Sequence, residues 1–330
     1  MTRRLWIQKI SALGVSAALP PMTWASNYPN KTIRLIVPWG PGNSADVAAR
    51  ILAERLTSTM GVSVIVENRP GANGVVGIVS LVKEVPDGHV LMVTSLGPIV
   101  IAPTAAKSLP YNPTTDLIPV APLMANVMVL VAAPQFPPNS LKEMIDFVRA
   151  NPGKYAYGTY GPGTFNQLLT SSLARSLGLD LIEVSYKSGS EVHTEVLSGR
   201  ISLLFDVLSN VSTLIKAKRV KLIAVSATAR SPLLPEAPTL VESGIGQLAN
   251  FTAQAWTGLF APVRTPREVV DRLNKEVNDA LRDPAYRARF ESLSADLFAP
   301  QSPAEFSNFV KEETRKWEKT VIEAGFKGTQ

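Results

Sequence analysis

Two glycine-containing loops carry residue types that could bind an anion. The first has the sequence PWGPGNSAD at residues 38–46, and the second has the sequence GPGTFNQ at residues 161–167. Each follows a segment typical of a strand and precedes apolar residues at helical spacing. The first N–H groups of a helix have no partner within the helix, and glycine lets a ligand approach the backbone closely. Each loop is therefore predicted to bind an anion at a helix N-terminus, and the pair suggests two lobes that close on one small molecule.

No pattern in the sequence indicates catalysis or metal binding. The two histidines, His89 and His193, stand alone, and an isolated histidine is more often structural than catalytic. The sequence lacks the G-x-S-x-G, H-E-x-x-H and Walker A motifs, and its acidic residues form no ligand cluster. Cysteine is absent, which excludes disulfides, thiolate catalysis and cysteine–zinc sites. We therefore expect a protein that is not an enzyme and that has neither a cofactor nor a metal.

One motif supports an alternative function. Gly40-x-Gly42-x-x-Ala45 matches the dinucleotide-binding pattern between a predicted strand and a predicted helix. Glu67 follows about 20 residues later, where an acidic residue would bind the ribose. The prolines of the loop stiffen it, and nicotinamide cofactors are scarce outside the cytoplasm. A nicotinamide dinucleotide-dependent enzyme therefore remains an alternative at this point.

The N-terminal residues resemble an export signal. Basic residues precede an apolar stretch at residues 10–19 that is too short to span a membrane, and small residues follow near Ala25. The segment is also similar to a twin-arginine signal with Trp6 in place of phenylalanine, so export by the Sec or the twin-arginine route is expected. We predict a signal peptide at residues 1–25, cleavage near Ala25 and a periplasmic location.

The net charge gives no reason to expect a nucleic-acid ligand. The full chain carries +6, but residues 1–25 hold three of its 33 basic residues and none of its acidic residues. The mature chain would therefore have 30 basic and 27 acidic residues, a net charge of +3. Because no basic run is interleaved with aromatic residues, we predict no nucleic-acid binding.

Strands and helices alternate along the chain, which predicts an α/β protein with parallel sheets. The 330 residues favour two domains. Apolar segments 126–133 and 254–261 are predicted to be strands that connect the domains, whereas the proline-rich residues 103–122 are expected to form a long connection. Lobe one would comprise residues 27–127 and 252–330, and lobe two residues 128–251.

Hydrophobic periodicity and capping signals place the remaining elements. The other predicted strands are at residues 33–37, 62–67, 89–94, 154–160, 181–187, 201–205 and 221–226. The predicted helices are at residues 47–60, 74–85, 140–149, 168–177, 191–197, 209–217, 265–281 and 302–325.

Several segments, taken in order, resemble the Bug family, which comprises the extracytoplasmic substrate-binding proteins of tripartite tricarboxylate transporters. The resemblance covers essentially the whole mature chain, so it is more specific than either loop alone. The segments are PWGPGNSAD at residues 38–46, VENRPGA at 66–72, PDG at 86–88, GPGT at 161–164, YK at 186–187, FD at 205–206, RSPLLP at 230–235 and APT at 237–239.

The resemblance implies an α/β fold of the two-lobed periplasmic binding protein type (type II). Each lobe would have a mixed, mostly parallel sheet flanked by helices, and two strands would form the hinge. The resemblance also implies that a small carboxylate binds in the cleft and is delivered to integral membrane transporter subunits. We expect a monomer. A sensor that reports its ligand to a membrane histidine kinase fits the same fold and stays open as a further alternative.

The family's ligand contacts, transferred to the matching positions, come mainly from the two loops. The contacts are Trp39, Pro41, Gly42, Asn43, Ser44 and Asp46 in the first loop, Gly161, Gly163, Thr164 and Gln167 in the second, and Thr94, Ser95, Tyr186 and Asp206 elsewhere. Three of them have an alternative role, because Asp46 suits the helix dipole, Asp206 can cap a helix and Tyr186 can pack. Lys187 is expected to be solvated and is not assigned to the site.

The sequence departs from the family at positions that could change specificity. Asn43 replaces a glycine, Gln167 replaces a histidine, and Tyr160 and Phe165 replace smaller residues. With Trp39, these rings place three aromatic side chains in or beside the loops, and offset ring pairs add about 0.5–1.5 kcal/mol beyond the buried area. We therefore predict a preference for an aromatic mono- or dicarboxylate, with Tyr160 and Phe165 as ligand contacts. The alternative is that these rings only form part of the cleft wall and do not select an aromatic ligand.

Overall fold

The computed structural model describes residues 28–230 and 234–328, so the predicted signal peptide at residues 1–25 lies outside the described residues. The described chain is an α/β protein in which a curled sheet is flanked by helices. Within these two ranges, no helix combines the length and the apolar character that crossing a membrane requires.

The strands and helices follow most of the predicted pattern. The strands are β1 Ile33–Val37, β2 Val64–Asn68, β3 Val90–Ser95, β4 Leu117–Ala132, β5 Ala156–Thr159, β6 Ile182–Ser185, β7 Leu203–Val207, β8 Lys221–Ser226, β9 Gln254–Pro262 and β10 Asp296–Leu297. The helices are α1 Ser44–Met60, α2 Val75–Val82, α3 Ala102–Ala105, α4 Pro113–Asp116, α5 Leu141–Arg149, α6 Phe165–Leu177, α7 Gly189–Ser198, α8 Leu208–Lys216, α9 Arg267–Arg282, α10 Pro284–Ser292 and α11 Pro303–Glu323.

Strand β4 belongs to both halves of the sheet. The strand order is β2-β1-β3-β9-β4-β7-β5-β6, with β10 and β8 also paired to β4. The first part of β4, up to Val127, pairs with β9, and the part from Met128 onward pairs with β7 and β8. Strands β1, β2 and β3 are parallel in one half, and β5, β6 and β7 are parallel in the other. The result is the predicted α/β fold, with two lobes that have mixed sheets.

The expected long connection at residues 103–122 is wrong in its second half. β4 begins at Leu117 and therefore includes Pro119 and Pro122. A proline has no N–H group to donate to a neighbouring strand, so prolines within a sheet are found at irregularities. The pairing of β4 with β9 shifts register just after each of these prolines, between Pro119 and Ala121 and between Pro122 and Met124. These bulges allow the strand to continue through a segment whose composition is typical of a loop.

Helix α10 and strand β10 were not predicted from the sequence. Asp283 caps α10 by accepting hydrogen bonds from the N–H groups of Ala285 and Tyr286, and Pro284 occupies the first helical position. An aspartate followed by proline is a helix-start signal. The apolar residues of α10, Tyr286 and Phe290, are buried against the first lobe.

Helix α11 contacts both lobes. In the first lobe, its residue Phe306 packs against Trp256 and Phe260 of β9. Farther along the helix, the Trp317 ring lies edge-on to the Phe165 ring at the start of α6, with 4.8 Å between centroids. The C-terminal helix therefore fixes the second glycine loop relative to the first lobe.

The first glycine loop is held by a close contact with α2. Gly77 lies so close to Pro38 that a Cβ atom on residue 77 would be 2.6 Å from the Pro38 Cβ and 3.0 Å from the Pro38 Cα. Because one of these atoms belongs to the backbone, the contact cannot be relieved by turning a side chain. Glycine at position 77 therefore allows the end of β1 to pack directly against α2.

We predict that Gly77→Ala destabilises the protein by about 1–3 kcal/mol, the cost of overpacking a close contact. Helix propensity alone would make alanine more stable than glycine in α2 by about 0.5–1 kcal/mol. The sign of the change in unfolding free energy therefore tests whether the close contact with Pro38 outweighs helix propensity. The midpoint of urea unfolding measures it. Gly246→Ala is the control, because a Cβ atom there meets nothing within 4 Å. An unchanged or higher midpoint for Gly77→Ala would contradict the prediction.

Candidate ligand-binding cleft

The two glycine loops lie on one cavity of about 650 Å³ between the lobes. The first loop follows β1 and leads into α1, and the second follows β5 and leads into α6. Both β1 and β5 belong to parallel pairs, and the carboxyl ends of parallel strands are where α/β proteins bind ligands. A second cavity of about 470 Å³ lies on lobe two beside α5, and neither loop contributes to it.

The first loop is shaped by its own helix. Asn43 caps α1 by accepting a hydrogen bond from Ala45 N at 2.9 Å. Gly42 has a φ of 81°, a left-handed conformation that favours glycine, and its N–H donates to Asp46 Oδ2 at 2.9 Å. Ser44, the first residue of α1, lines the cavity.

Asp46 is buried beneath the loop, where it holds the loop by hydrogen bonds, and it does not line the cavity. Its side chain is 2% exposed and accepts hydrogen bonds from Arg50, from Asn68 Nδ2 at 2.8 Å and from Gly42 N. Burial by itself raises the pKa of Asp46, but these hydrogen bonds and the charge of Arg50 outweigh it, so the pKa lies below the ordinary value. Asp46 is therefore a charged anchor for the loop.

The second loop uses the same arrangement with a neutral side chain. Gly163 N donates to Gln167 Oε1 at 2.8 Å, four residues ahead, as Gly42 N donates to Asp46. Gln167 Nε2 then donates to Glu183 Oε1 at 2.8 Å. No side chain caps the first amides of α6; the Thr164 hydroxyl lies 2.6 Å from Gly161 O and 2.9 Å from Asn166 Oδ1, and its one proton can be donated to either of these oxygens. The first turn of α6 therefore keeps N–H groups that can donate to an anion.

The structure brings most of the predicted contacts together. Those that line the cavity are Trp39, Pro41, Gly42, Asn43, Ser44, Ser95, Tyr160, Thr164, Phe165 and Asp206. Those that do not line it are Asp46, Thr94, Gly161, Gly163, Gln167 and Tyr186. In the second group, Gln167 and Asp46 are buried and hold the loops, Thr94 is fully buried at the end of β3, and Gly161 and Tyr186 are half-buried.

One hydrogen bond crosses between the loops of the two lobes. Asn73 Nδ2 donates to Gly163 O at 2.8 Å, and the Asn73 side chain lines the cavity. Asn73 has a φ of 51°, a left-handed conformation that asparagine tolerates better than most residues. This bond ties the turn before α2 to the second loop and gives the lobes a direct polar contact at the cleft.

Several cavity residues were not predicted. The polar ones are Asn73, Asn126, Asn166, Lys187, Ser188, Ser190, His193, Ser209, Asn210 and Thr257. Asn126 is 2% exposed on β4 with Oδ1 unpaired, and Asn166 is 3% exposed on α6 with Nδ2 unpaired. Buried polar groups are normally hydrogen-bonded, so these atoms are suited to contact a bound molecule. Asn126 carries a sequence signal, because it is a polar residue within an otherwise apolar strand.

A buried carboxylate lies at the lobe-two side of the cavity. Asp206 Oδ1 accepts hydrogen bonds from Val207 N at 2.8 Å and from Asn210 Nδ2 at 3.0 Å. Its Oδ2 accepts from the Tyr160 hydroxyl and lies 2.7 Å from His193 Nε2. Burial and the nearby Asp206 charge raise the pKa of Tyr160 well above its ordinary value, so the hydroxyl remains a donor.

The rest of the cavity wall is mainly apolar. Trp39, Val47, Met124, Met128, Trp256, Phe290 and Leu293 contribute to it, so the cavity extends from the loops past α1 to α10. The predicted aromatic residues Tyr160 and Phe165 also serve the protein itself. Tyr160 bonds Asp206, and Phe165 packs edge-on against Trp317.

The dinucleotide alternative gains no support from the geometry. Glu67 pairs with Arg34 at 3.2 Å and with Arg69 at 2.8 Å and does not line the cavity. Across the described ranges, no group of three or more His, Cys, Asp or Glu residues is arranged to hold a metal ion.

We predict that Asp46→Asn destabilises the protein by about 1–3 kcal/mol at pH 7, because the amide nitrogen would face donors that now meet a carboxylate. The folded-state pKa of Asp46 is lowered, so its contribution is complete above the ordinary aspartate pKa of about 4 and is lost as the pH falls through the folded value. The deficit should therefore shrink at pH 3. Urea unfolding at both pH values measures it, with Asp271→Asn on an exposed pair as the control. A deficit that is equal at both pH values would contradict the prediction.

Comparison with known proteins agrees with the fold. A family model described as the tripartite tricarboxylate transporter family receptor, TctC, matches residues 48–326. Protein BugT of Bordetella pertussis is 30% identical over 330 residues, covering 99% of each chain. The structure of the periplasmic binding protein BugD is 31% identical with a TM-score of 0.84, covering 91% of this chain and 99% of BugD.

A second solved structure contains a ligand. MatC from Rhodopseudomonas palustris, with bound malate, is 31% identical with a TM-score of 0.83, covering 89% of this chain and 100% of MatC. These matches confirm the predicted resemblance to the Bug family and the two-lobed periplasmic binding protein fold. The chain belongs to the TctC family of tripartite tricarboxylate transporter receptors, together with its Bug relatives.

Proposed function

We propose that this protein is a periplasmic receptor that captures a small carboxylate between its lobes and delivers it to the membrane subunits of a tripartite tricarboxylate-type transporter. The observation that carries the proposal is that the N-termini of α1 and α6 open onto one cavity from opposite lobes. Each N-terminus has unpaired N–H groups and a positive dipole end, so a carboxylate between them is stabilised from both sides. The malate bound by the relative MatC supports the same class of ligand.

The charges around the cavity favour recognition of a carboxylate by the dipoles of backbone N–H groups, hydroxyls and amides. Lys187 is the lysine of the cavity wall, and it is exposed at the rim. The charge of Asp206 is compensated by four hydrogen-bond donors, so it repels an incoming anion less than a free carboxylate would. Backbone N–H groups, hydroxyls and amides therefore supply most of the contacts that a carboxylate needs.

The size and the apolar wall of the cavity support a ligand with a ring or a chain of several carbons. Small-molecule sites span about 300–1,000 Å³, and this cavity falls within that range. Trp39, which is half-buried in the first loop, lines the cavity, and the nearly fully buried Trp256 lies in the wall behind it. An aromatic mono- or dicarboxylate therefore remains the proposed ligand, with a short aliphatic diacid as the alternative.

The proposed cellular arrangement follows the predicted export signal and the family. The receptor would be a periplasmic monomer, exported by the Sec or twin-arginine route, and its lobes would close over the ligand by hinge motion. The Asn73–Gly163 hydrogen bond is a contact that such closure would form or strengthen. In the alternative function as a sensor, the ligand would bind at the same site. The two functions differ only in whether a membrane transporter or a membrane histidine kinase recognises the closed form.

Calorimetry on the mature protein tests the ligand class. Benzoate, phthalate, adipate and malate are compared with benzamide, which has the shape of benzoate without its charge. At least one carboxylate should bind, and benzamide should not. Tighter binding of the aliphatic acids than of the aromatic ones would overturn the aromatic preference. Binding of a nicotinamide dinucleotide without binding of any carboxylate would overturn the receptor function.

We predict that Ser44→Asp weakens binding of the best carboxylate at least about tenfold, because a second negative charge would occupy the first turn of α1. An acidic residue suits this helical position, so folding should be preserved. Ala304→Asp is the matched control, since Ala304 lies in the exposed first turn of α11. Equal affinities for the two variants would contradict an anion site at α1.

A further inference from the structure

Helix α11 carries a carboxylate that binds two tryptophan side chains at once. Glu313 Oε2 accepts hydrogen bonds from Trp256 Nε1 at 3.1 Å and from Trp317 Nε1 at 2.9 Å. An indole nitrogen can only donate, whereas a carboxylate oxygen can accept two hydrogen bonds, so one oxygen satisfies both rings. The Glu313 side chain is 13% exposed, and the two tryptophans are almost fully buried. A single oxygen atom therefore determines where two large buried rings lie.

Each of these tryptophans supports a different part of the cavity wall. Trp256 lies on β9 in the first lobe and lines the cavity itself. Trp317 does not line the cavity, but its ring lies edge-on to Phe165, with 4.8 Å between the ring centroids. Phe165 is the first residue of α6 and lines the cavity from the second lobe. Glu313 therefore connects the β9 wall, through one ring, with the first turn of α6, through the other.

The charge of Glu313 is compensated on its other side. Lys316 Nζ is 3.6 Å from Glu313 Oε1, and it also lies over the Trp317 ring, 4.9 Å from the centroid. Glu313 does not line the cavity. By Coulomb repulsion alone, a negative charge behind the cavity would disfavour an anion inside it. A favourable effect of Glu313 on a bound carboxylate must therefore come from the position of the rings that it holds.

Loss of this acceptor would leave two buried donors without their partner. A buried N–H group without a partner is unfavourable, so the indoles would turn toward other acceptors or toward water. A turned Trp317 ring would no longer support Phe165, and the ligand itself would then have to order the first turn of α6. Binding that also has to order its site is weaker than binding to a site already in place. Glu313 should therefore raise the affinity without touching the ligand.

We propose that Glu313 is a positioning residue of the ligand site. By holding the indoles of Trp256 and Trp317 on one oxygen, it fixes the first turn of α6 where the anion binds. This inference rests on the proposed carboxylate-binding function and adds to it a residue outside the cavity that sets the affinity. Trp317 should then respond to a ligand that it does not contact.

Calorimetry on the mature protein tests the role of Glu313, with the tightest-binding of benzoate, phthalate, adipate and malate as the probe. Glu313→Ala should weaken binding at least about fivefold, at an unchanged stoichiometry that shows the protein to be folded. Glu313→Gln should stay within about twofold of the wild type, because its side-chain oxygen can still accept from both indoles. Glu312→Ala is the matched control, since it removes the same charge from the neighbouring, exposed position of α11 and should bind like the wild type.

The indole N–H resonances give a second readout, which a loss of stability would not produce. Trp6 and Trp24 lie in the predicted signal peptide, so three of the five tryptophans, Trp39, Trp256 and Trp317, remain in the mature chain. Variants with phenylalanine at each position assign the three resonances. In the wild type, the resonances of Trp256 and Trp317 should shift together as the probe is added, with the affinity that calorimetry gives.

Three results would overturn the role of Glu313 while leaving the receptor function intact. They are equal affinities of Glu313→Ala and Glu312→Ala, a loss in Glu313→Gln as large as that in Glu313→Ala, and a Trp317 resonance that stays fixed while the probe binds. The last result uses the wild-type protein alone, so it decides the question even if Glu313→Ala does not fold. If no probe binds the wild-type protein, the proposed function fails, and the role of Glu313 fails with it.

Discussion

The cleft depends on one repeated hydrogen bond. In each loop the N–H of the second glycine donates to the side chain four residues ahead, Gly42 to Asp46 and Gly163 to Gln167. This bond takes up the N–H that lies outside the helix and folds the loop back over the first turn. Among the N–H groups of the first turn, Ala45 N of α1 donates to Asn43 Oδ1, whereas no side chain caps the first turn of α6. One loop uses a buried charge held by Arg50, whereas the other uses a neutral amide, so the same geometry is reached with different electrostatics.

The two loops can bind one ligand only if the two lobes keep a defined position relative to each other. β4 does this within the sheet, because it pairs with β9 in one lobe and with β7 and β8 in the other. α11 does it from outside, since Trp317 contacts Phe165 at the first turn of α6. Arg175 of α6 also donates to Ala324 O at 2.8 Å, just after the end of α11. Lobe movement therefore has to preserve or exchange these contacts.

Much of the architecture could be predicted from the sequence because it is encoded locally. Period-two and period-3.6 patterns, glycine stops and capping boxes gave most strands and helices, and Ser302 with Glu305 indeed forms a capping box. The strand through Pro119 and Pro122 was missed because bulges accommodate prolines that composition alone assigns to a loop. Residues on α10 were missed because the aspartate–proline start signal was not used.

The site was harder to predict because its polar groups converge from distant segments. The loops could be found since each is contiguous in the chain. Asn73, Asn126 and His193 come from separate elements, and no spacing relates them. Asp46 and Gln167 were expected to touch the ligand, yet both are buried behind their loops and bond the glycine N–H groups. A family motif fixes where a residue lies, whereas only the folded chain fixes which way its side chain points.

The most direct test of the central claim is an amide NMR titration of the mature protein with the tightest-binding carboxylate. If both helix N-termini hold one anion, the backbone N–H resonances of residues 44–46 and 165–167 should shift together, with one common affinity. Shifts confined to one loop, or shifts in neither loop while the ligand binds elsewhere, would contradict the account.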